Sequence, residues 1–179
     1  MARGYALWLM PSGKTHEKLS CMIMELSKRH HTPYFEPHVT LSTEDYKDSR
    51  NELLEKTRAL ANQIRPFTVQ LAGLGHEDSY WRPLYIKARM TPQIMRANEK
   101  AAEIFQGGRQ PGPYKPHLSL LYGRLPTEAR ENIIAKIGTS LNGLSFKAQS
   151  IHLYSLNGAA DKWHSVKEFS FSGNVSQDF

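Results

Sequence analysis

Apolar residues in this chain occur in short continuous runs that alternate with segments of helical spacing. Residues 5–10 are all apolar or aromatic, and a run of this length predicts a buried strand. A turn follows at residues 11–13, and Thr15 is the expected N-cap of a helix over residues 18–29, where apolar side chains recur every three or four positions. The chain is therefore expected to begin with a strand and an amphipathic helix.

The same alternation continues along the rest of the chain. A second helix is expected after the capping-box pair Ser49 and Glu52, a third after Thr91 and a fourth after Pro126. Apolar or alternating runs predict strands over residues 37–41, 67–74, 83–89, 117–122, 144–156 and 165–172. Strands and helices recur in the same order in each half, which predicts an α+β fold built from two copies of one unit.

The strongest match between the two halves surrounds a histidine in each. Residues 35–41 read aromatic, charged, Pro, His, aliphatic, hydroxyl, Leu, and residues 114–120 match them position by position. The pattern His-x-Thr alone is weak, because His30 and Thr32 also fit it. Each copy alone is consistent with an edge strand that carries an exposed or hydrogen-bonded histidine, but two copies with matched flanks favour a functional pair.

Each of the two segments is predicted to present one imidazole and one hydroxyl to a shared cleft. Side chains alternate along a strand, so His38 projects with Thr40, and His117 projects with Ser119. Hydrolysis of a cyclic phosphodiester needs a base for the attacking water and an acid for the leaving oxygen, and an imidazole pKa of about 6.5 suits both tasks. The hydroxyls would donate hydrogen bonds to the non-bridging oxygens. This chemistry requires no metal and no cofactor.

These motifs make the chain similar to the 2H phosphoesterase superfamily, which is named for two His-x-Thr/Ser motifs. Within it, residues 5–11, 38–40 and 117–122 resemble the cyclic phosphodiesterases of the plant and yeast type. The resemblance implies two pseudo-symmetric lobes, each an antiparallel sheet with helices outside, around a central cleft. We therefore expect a single bilobal catalytic domain over residues 1–179, with the lobes interleaved in sequence and an inter-lobe loop near residues 107–113.

The resemblance also implies an activity and a division of roles. Members of the family open ADP-ribose 1″,2″-cyclic phosphate to ADP-ribose 1″-phosphate, and nucleoside 2′,3′-cyclic phosphates to 2′-phosphates, in tRNA splicing and RNA metabolism. By analogy, His117 is expected to activate water and His38 to protonate the ribose O3′. Tyr122 is expected to contact the phosphate or the ribose.

Three further residues are candidate substrate contacts. Trp8 lies on the first strand, where it either stacks on a nucleobase or packs in the core. Trp81 lies between the strands expected over residues 67–74 and 83–89, which are expected to form a hairpin, and it is expected to line the nucleoside pocket, whereas Tyr85 is expected in the core. Lys115 adjoins the second motif and is positioned to attract a phosphate.

Composition narrows the possible partners. The formal net charge is +6, with cations scattered along the chain, which favours a small anionic nucleotide over a long duplex. The run over residues 5–10 is too short to span a membrane, and the single cysteine cannot form an internal disulfide. The remaining histidines lack the spacing of a zinc site. We therefore expect a monomeric cytoplasmic protein without membrane attachment.

Two other functions remain open from the sequence. A 2′,5′-RNA ligase-like protein, or a phosphodiesterase that processes RNA 3′ ends, would have the same architecture but would need a basic track leading out of the cleft. A non-catalytic RNA-binding module would retain the fold without a need for both histidine and hydroxyl pairs.

Overall fold

The structure is a computed structural model that describes residues 4–44, 48–105, 113–141 and 143–173. Within those residues the chain forms eight β-strands and four α-helices. The strands are β1 (Tyr5–Leu9), β2 (Val39–Glu44), β3 (Phe67–Gly75), β4 (Leu84–Ala88), β5 (His117–Leu121), β6 (Ser145–Ala148), β7 (Ser150–Ser155) and β8 (His164–Ser170). The helices are α1 (Gly13–His30), α2 (Arg50–Ala61), α3 (Pro92–Phe105) and α4 (Thr127–Ile137). Residues 107–112 of the expected inter-lobe loop lie outside the described residues.

The eight strands form one antiparallel sheet in the order β6-β3-β4-β5-β2-β1-β7-β8. Strands β5 and β2, at which the two histidine motifs lie, are neighbours at its centre. We call β8-β7-β1-β2 the first half-sheet and β5-β4-β3-β6 the second half-sheet. Counted outward from the β5–β2 junction, strands β2, β1, β7 and β8 of the first half-sheet correspond to β5, β4, β3 and β6 of the second. This correspondence confirms the predicted α+β fold with two related antiparallel halves.

Neighbours in the sheet come from distant parts of the chain. Strands β3 and β4 follow the first motif in sequence but belong with β5 of the second motif. Strands β7 and β8 follow the second motif but extend the half-sheet of β1 and β2. The run over residues 144–156, expected as one segment, is therefore two strands, β6 and β7, which belong to opposite half-sheets.

One face of the sheet packs against the helices and the other lines a cavity. On the helix side, Leu7, Leu41 and Leu118 are fully buried in one apolar cluster with residues such as Ile23 of α1. Helix α1 packs on β5 and α3 packs on β2, so each half contributes a helix that covers a strand of the other half. Burial of this apolar surface is the main force that holds the two half-sheets together. A smaller cluster around Trp8 lies on the cavity side.

Helix boundaries follow the capping chemistry in one case and depart from it in another. Helix α2 begins with the predicted capping box, in which Ser49 and Glu52 bond reciprocally to each other's backbone N–H groups. Helix α1 begins directly after Ser12, so the prediction that Thr15 is its N-cap is wrong. The Thr15 hydroxyl instead donates to a carbonyl at the start of β6. None of the helices in the described part of the chain is long and apolar enough to cross a membrane.

Equivalent β-bulges interrupt the strands of the two motifs. The register between β1 and β2 skips Leu41, and the register between β4 and β5 skips Leu120. A bulge places two consecutive residues on the same side and so reverses the alternation that follows. This explains why Tyr122 lines the same cavity as His117, although an offset of five would place the two side chains on opposite faces of a regular strand.

Candidate active site

A cavity of about 630 Å³ is lined by residues of both half-sheets. All eight residues that the sequence predicts for the site lie around it: Trp8, His38, Thr40, Trp81, Lys115, His117, Ser119 and Tyr122. The lining also includes residues that the sequence analysis did not assign: Thr43, Arg82, Tyr114, Leu156 and Trp163. The fold therefore brings the two motifs to one concave surface.

The register of β2 and β5 determines how the two motifs face each other. Their central residues, Val39 and Leu118, are paired. In an antiparallel pair each histidine then lies opposite the hydroxyl residue of the other motif. His38 and His117 are thus diagonal neighbours on one face, with backbone positions about 7–8 Å apart. Two imidazoles at this separation can approach a phosphorus atom from opposite sides.

Both imidazoles are oriented by the same kind of hydrogen bond. The Nδ1 atom of His38 lies 2.7 Å from the carbonyl oxygen of Glu36. The Nδ1 atom of His117 lies 2.8 Å from the carbonyl oxygen of Lys115. Because a carbonyl can only accept, Nδ1 donates in each case and Nε2 is left to exchange a proton. Each Nε2 is a base when its ring is neutral and an acid when its ring is charged.

Burial affects the two histidines unequally. Desolvation lowers the pKa of His38 to about 3, opposed by the bond to the Glu36 carbonyl and reinforced by repulsion from His117. Desolvation also lowers the pKa of His117, opposed by the Lys115 carbonyl and reinforced by the Arg82 guanidinium. His38 is 4% exposed whereas His117 is half-buried, so His38 gives up its proton more readily.

Trp8 lies between two other rings. The His38 ring stacks on one face, with centroids 3.5 Å apart and planes 8° apart. The Tyr154 ring covers the other face at a centroid distance of 3.8 Å. Trp8 is only 1% exposed, so neither face can receive a nucleobase. The predicted base-stacking role of Trp8 therefore does not fit, and this side chain instead holds the plane of the His38 ring.

Tyr85 occupies the equivalent place in the second half-sheet. It pairs with Ser119 across β4 and β5, as Trp8 pairs with Thr40 across β1 and β2. The Tyr85 ring contacts the His117 ring edge-on, with centroids 5.2 Å apart. Tyr85 is half-buried and is not a core residue as the sequence predicted. An aromatic side chain from the neighbouring strand thus supports each histidine.

The aromatic residue at the start of each motif contacts the other motif. Phe35 of the first motif stacks on Tyr122 at a centroid distance of 4.0 Å. The Tyr114 hydroxyl of the second motif donates to the Thr40 carbonyl at 2.9 Å. These reciprocal contacts connect the half-sheets close to the histidines. They give a physical reason for an aromatic residue at this position in both copies.

Trp81 and Trp163 form an aromatic pair at the cavity. Trp81 precedes β4 of the second half-sheet, and Trp163 precedes β8 of the first half-sheet. Their rings lie 5.9 Å apart with planes at 22°, and both contact Tyr122 edge-on. Trp81 is 43% exposed, and so offers ring surface to a ligand. No sequence signal pointed to Trp163, because it lies outside the motifs and meets Trp81 only in the folded chain.

Two cations, Lys115 and Arg82, line the cavity. Lys115 is exposed and Arg82 is partly exposed, and both line the cavity with His117. Among the described residues, no group of three or more His, Cys, Asp or Glu side chains is placed to hold a metal ion. The cavity therefore offers two imidazoles, the hydroxyls of the two motifs and these cations for chemistry with a phosphate.

Solved structures share this architecture at low sequence identity. TT0787 of Thermus thermophilus is 20% identical with a TM-score of 0.64, and the match covers 97% of this chain and 100% of that one. E. coli LigT in complex with 3′-AMP is 13% identical with a TM-score of 0.64, and the match covers 95% of this chain and 98% of that one. At such identities the likeness supports the fold alone.

Sequence comparisons identify the family. A cyclic phosphodiesterase of Arabidopsis thaliana is 26% identical over 83% of this chain and 83% of that protein. A 2′,3′-cyclic-nucleotide 3′-phosphodiesterase of Phaeosphaeria nodorum is 25% identical over 92% of this chain and 97% of that protein. The family model described as cyclic phosphodiesterase-like protein matches residues 1–171. The chain thus belongs to the cyclic phosphodiesterase-like family, within the 2H phosphoesterase superfamily that its two histidine motifs predict.

Proposed function

We propose that this protein hydrolyses a cyclic phosphate on a ribose, with His38 and His117 as the general base and the general acid. The observation that carries the proposal is the diagonal arrangement of the two imidazoles on one face of the β2–β5 pair. Both rings use Nδ1 to bond a carbonyl and keep Nε2 for the substrate. A phosphate between them can receive water on one side and release an oxygen on the other.

The electrostatics favour His38 as the base and His117 as the acid. In the singly protonated site the proton resides on His117, because burial lowers the pKa of His38 to about 3. His38 Nε2 then takes a proton from water as the new P–O bond forms, and His117 donates its proton to O3′ as the P–O3′ bond breaks. The product is a 2′-phosphate. This division reverses the one that the family resemblance implied.

The hydroxyls of Thr40 and Ser119 complete the proposed site. Each lies opposite the histidine of the other motif, where it can donate a hydrogen bond to a non-bridging phosphate oxygen as negative charge increases. The buried Tyr122 side chain lies close enough to Ser119 to interact with its hydroxyl.

A small nucleotide fits the size and lining of the cavity. About 630 Å³ is within the range for small-ligand pockets, and the exposed Trp81 ring is available to a base. The relatives are named for cyclic phosphates and 2′,3′-cyclic nucleotides, and LigT was solved with 3′-AMP. We extend this substrate class to the present protein, with nucleoside 2′,3′-cyclic phosphates and ADP-ribose 1″,2″-cyclic phosphate as the candidates.

Substitution of each histidine tests the mechanism. We expect His38→Ala and His117→Ala each to lower kcat for adenosine 2′,3′-cyclic phosphate by about 10²–10⁴, because each removes one proton-transfer group. With a phosphodiester that releases 4-nitrophenol, whose departure needs no acid, we expect His117→Ala to retain activity within about tenfold of wild type. His38→Ala should remain inactive. Phosphorus NMR of the product should give a 2′-phosphate.

His164→Ala is the matched control, because His164 is exposed and does not line the cavity. Its kcat should equal that of wild type. Wild-type turnover in either cavity variant would contradict the two-histidine mechanism. Retention of 4-nitrophenol release in His38→Ala, with loss in His117→Ala, would restore the opposite assignment of acid and base.

A further inference from the structure

A second cavity, of about 320 Å³, adjoins the first on the outer side of His117. The two cavities share three lining residues: Arg82, Lys115 and His117. The second cavity continues along β4, where Lys87 contributes to its lining. A ligand bound beside His117 therefore lies next to this space.

Lys87 is placed next to His117 by the sheet itself. The two residues are register partners across β4 and β5. Directly opposed residues of an antiparallel pair project from the same face, with Cβ atoms about 4.5–5.5 Å apart. The Lys87 side chain therefore starts beside the His117 side chain, and it lines the second cavity.

The charge of this second cavity is predominantly positive. Its lining includes three cations, Arg82, Lys87 and Lys115, and one carboxylate, Glu77. Glu77 is already engaged, since it accepts from the Arg82 guanidinium at 2.9 Å and from the Tyr85 hydroxyl at 3.3 Å. In the described part of the chain, neither lysine ammonium has an ion-pair or hydrogen-bond partner.

The first cavity does not use these lysine charges in the chemistry proposed above. Two imidazoles and two hydroxyls already surround the reacting phosphate. Two unpaired ammonium groups that line the adjoining cavity suit a second anionic group on the same substrate. On a ribose with a cyclic phosphate, the position that carries a further phosphate is the 5′ oxygen.

We propose that Lys87, with Lys115 and Arg82, binds a phosphate on the 5′ oxygen of the ribose whose cyclic phosphate lies between the histidines. This inference rests on the proposed function and specifies its substrate class. Two kinds of substrate carry this group: a dinucleotide such as ADP-ribose cyclic phosphate, through its pyrophosphate, and an RNA chain that ends in a 2′,3′-cyclic phosphate, through its last phosphodiester.

Equilibrium binding gives a test that does not depend on turnover. Adenosine 2′-phosphate and adenosine 2′,5′-bisphosphate differ only in the 5′-phosphate, and calorimetry measures both dissociation constants. We expect wild type to bind the bisphosphate about tenfold more tightly, and Lys87→Ala to reduce that preference to about threefold or less, since a charge-assisted hydrogen bond is lost. Lys136→Ala removes an exposed cation from α4 as the control, and should retain the tenfold preference.

Turnover supplies the second readout. The ratio of kcat/KM for 5′-phosphorylated over unphosphorylated adenosine 2′,3′-cyclic phosphate should also be about tenfold in wild type and should fall in Lys87→Ala. Lys87→Arg keeps the charge and should recover most of the ratio. If Lys87→Ala does not fold, as loss of adenosine 2′-phosphate binding would reveal, Lys87→Gln replaces it in both measurements.

The outcomes separate this inference from the proposed function. Equal wild-type affinity for the two ligands, or a preference that Lys87→Ala leaves intact, would overturn the 5′-phosphate site. Absence of turnover with every cyclic phosphate would overturn the proposed function, while a Lys87-dependent preference for the bisphosphate would still support the site. A comparison of ADP-ribose cyclic phosphate with a diadenylate ending in a cyclic phosphate then distinguishes the two substrate sources by kcat/KM.

Discussion

At the residue scale, the two histidines differ in their surroundings although their motifs match. Both bond a carbonyl through Nδ1, but the His38 ring lies flat against Trp8 whereas the His117 ring meets only the edge of Tyr85. The flat stack removes water from one whole face of His38, which explains why burial lowers its pKa to about 3. Local packing thus gives two chemically identical groups different pKa values, as the proposed base and acid require.

Replacement of Trp8 by Leu should move the acidic limb of the pH profile. The acidic limb of kcat/KM follows the pKa of the base in the free enzyme. Without the indole, water reaches the His38 ring, its pKa rises from about 3 toward the ordinary 6.5, and the limb moves to higher pH. The alkaline limb follows the pKa of His117, which burial holds below 6.5. In both proteins, kcat/KM should therefore fall as the pH rises through the His117 pKa.

Trp81→Ala is the control for this profile, because Trp81 is exposed and does not contact His38. It should weaken substrate binding and leave the acidic limb where it is in wild type. An acidic limb in Trp8→Leu that coincides with that of wild type would mean that the indole does not control His38, or that His38 is not the base.

The reactive residues of the site were predictable because their pattern repeats. His38, Thr40, His117 and Ser119 follow from a duplicated motif and the alternation of a strand, and all line one cavity. The role of Trp8 did not follow, since whether an apolar strand residue faces a ligand or a neighbouring ring depends on what packs above it. Arg82, Lys87 and Trp163 carry no local signal, because strand register and loop packing bring them to the site.

At the scale of the elements, a glycine on β3 determines where the Tyr85 ring lies. Gly75 pairs with Tyr85 across β3 and β4. A Cβ added at Gly75 would lie 2.7 Å from two Tyr85 ring carbons, a distance that no relaxed structure has. The ring therefore lies over bare backbone, and from there it contacts His117 edge-on.

Gly75→Ala should push the Tyr85 ring toward His117 and lower kcat/KM, by about tenfold or more, since small displacements of a catalytic group are costly. Tyr85→Leu in the same chain makes room for the new methyl group, so the double variant should recover the activity of Tyr85→Leu alone. Gly138→Ala is the control, because its nearest neighbour would lie at 4.0 Å. Wild-type kcat/KM in Gly75→Ala would show that this contact does not position His117.

Element boundaries were predictable to the extent that local chemistry determines them. The capping box at Ser49 and Glu52 is an interaction between near neighbours, and it forms as predicted. The bulges at Leu41 and Leu120 are not visible in the sequence, because a leucine suits a regular strand equally well. Their effect is large, since the bulge at Leu120 turns Tyr122 toward the cavity in spite of its offset from His117.

At the scale of the whole molecule, the duplicated sequence indicates two related units but not which strands belong to each. Hydrophobic alternation predicts that a segment is a strand, and it contains no information about the partner across the sheet. The strands that follow each motif in the chain join the half-sheet of the other motif. The first half-sheet therefore contains strands from both the beginning and the end of the described chain.

This exchange predicts that the two half-sheets unfold together. The first half-sheet is complete only when β7 and β8 join β1 and β2, and the strands of the second half-sheet lie between these two pairs in the chain. Helices α1 and α3 each cover a strand of the other half, so loss of one half-sheet removes apolar cover from the other.

We expect urea to give one transition, with the same midpoint by far-UV circular dichroism and by tryptophan fluorescence. Variants that keep only Trp81 or only Trp163, with Phe at the other tryptophans, place the fluorophore beside the second or the first half-sheet, where the two meet, and should share one midpoint. Two separated midpoints would instead mean that the half-sheets are independent folding units, and that the expected single catalytic domain is two.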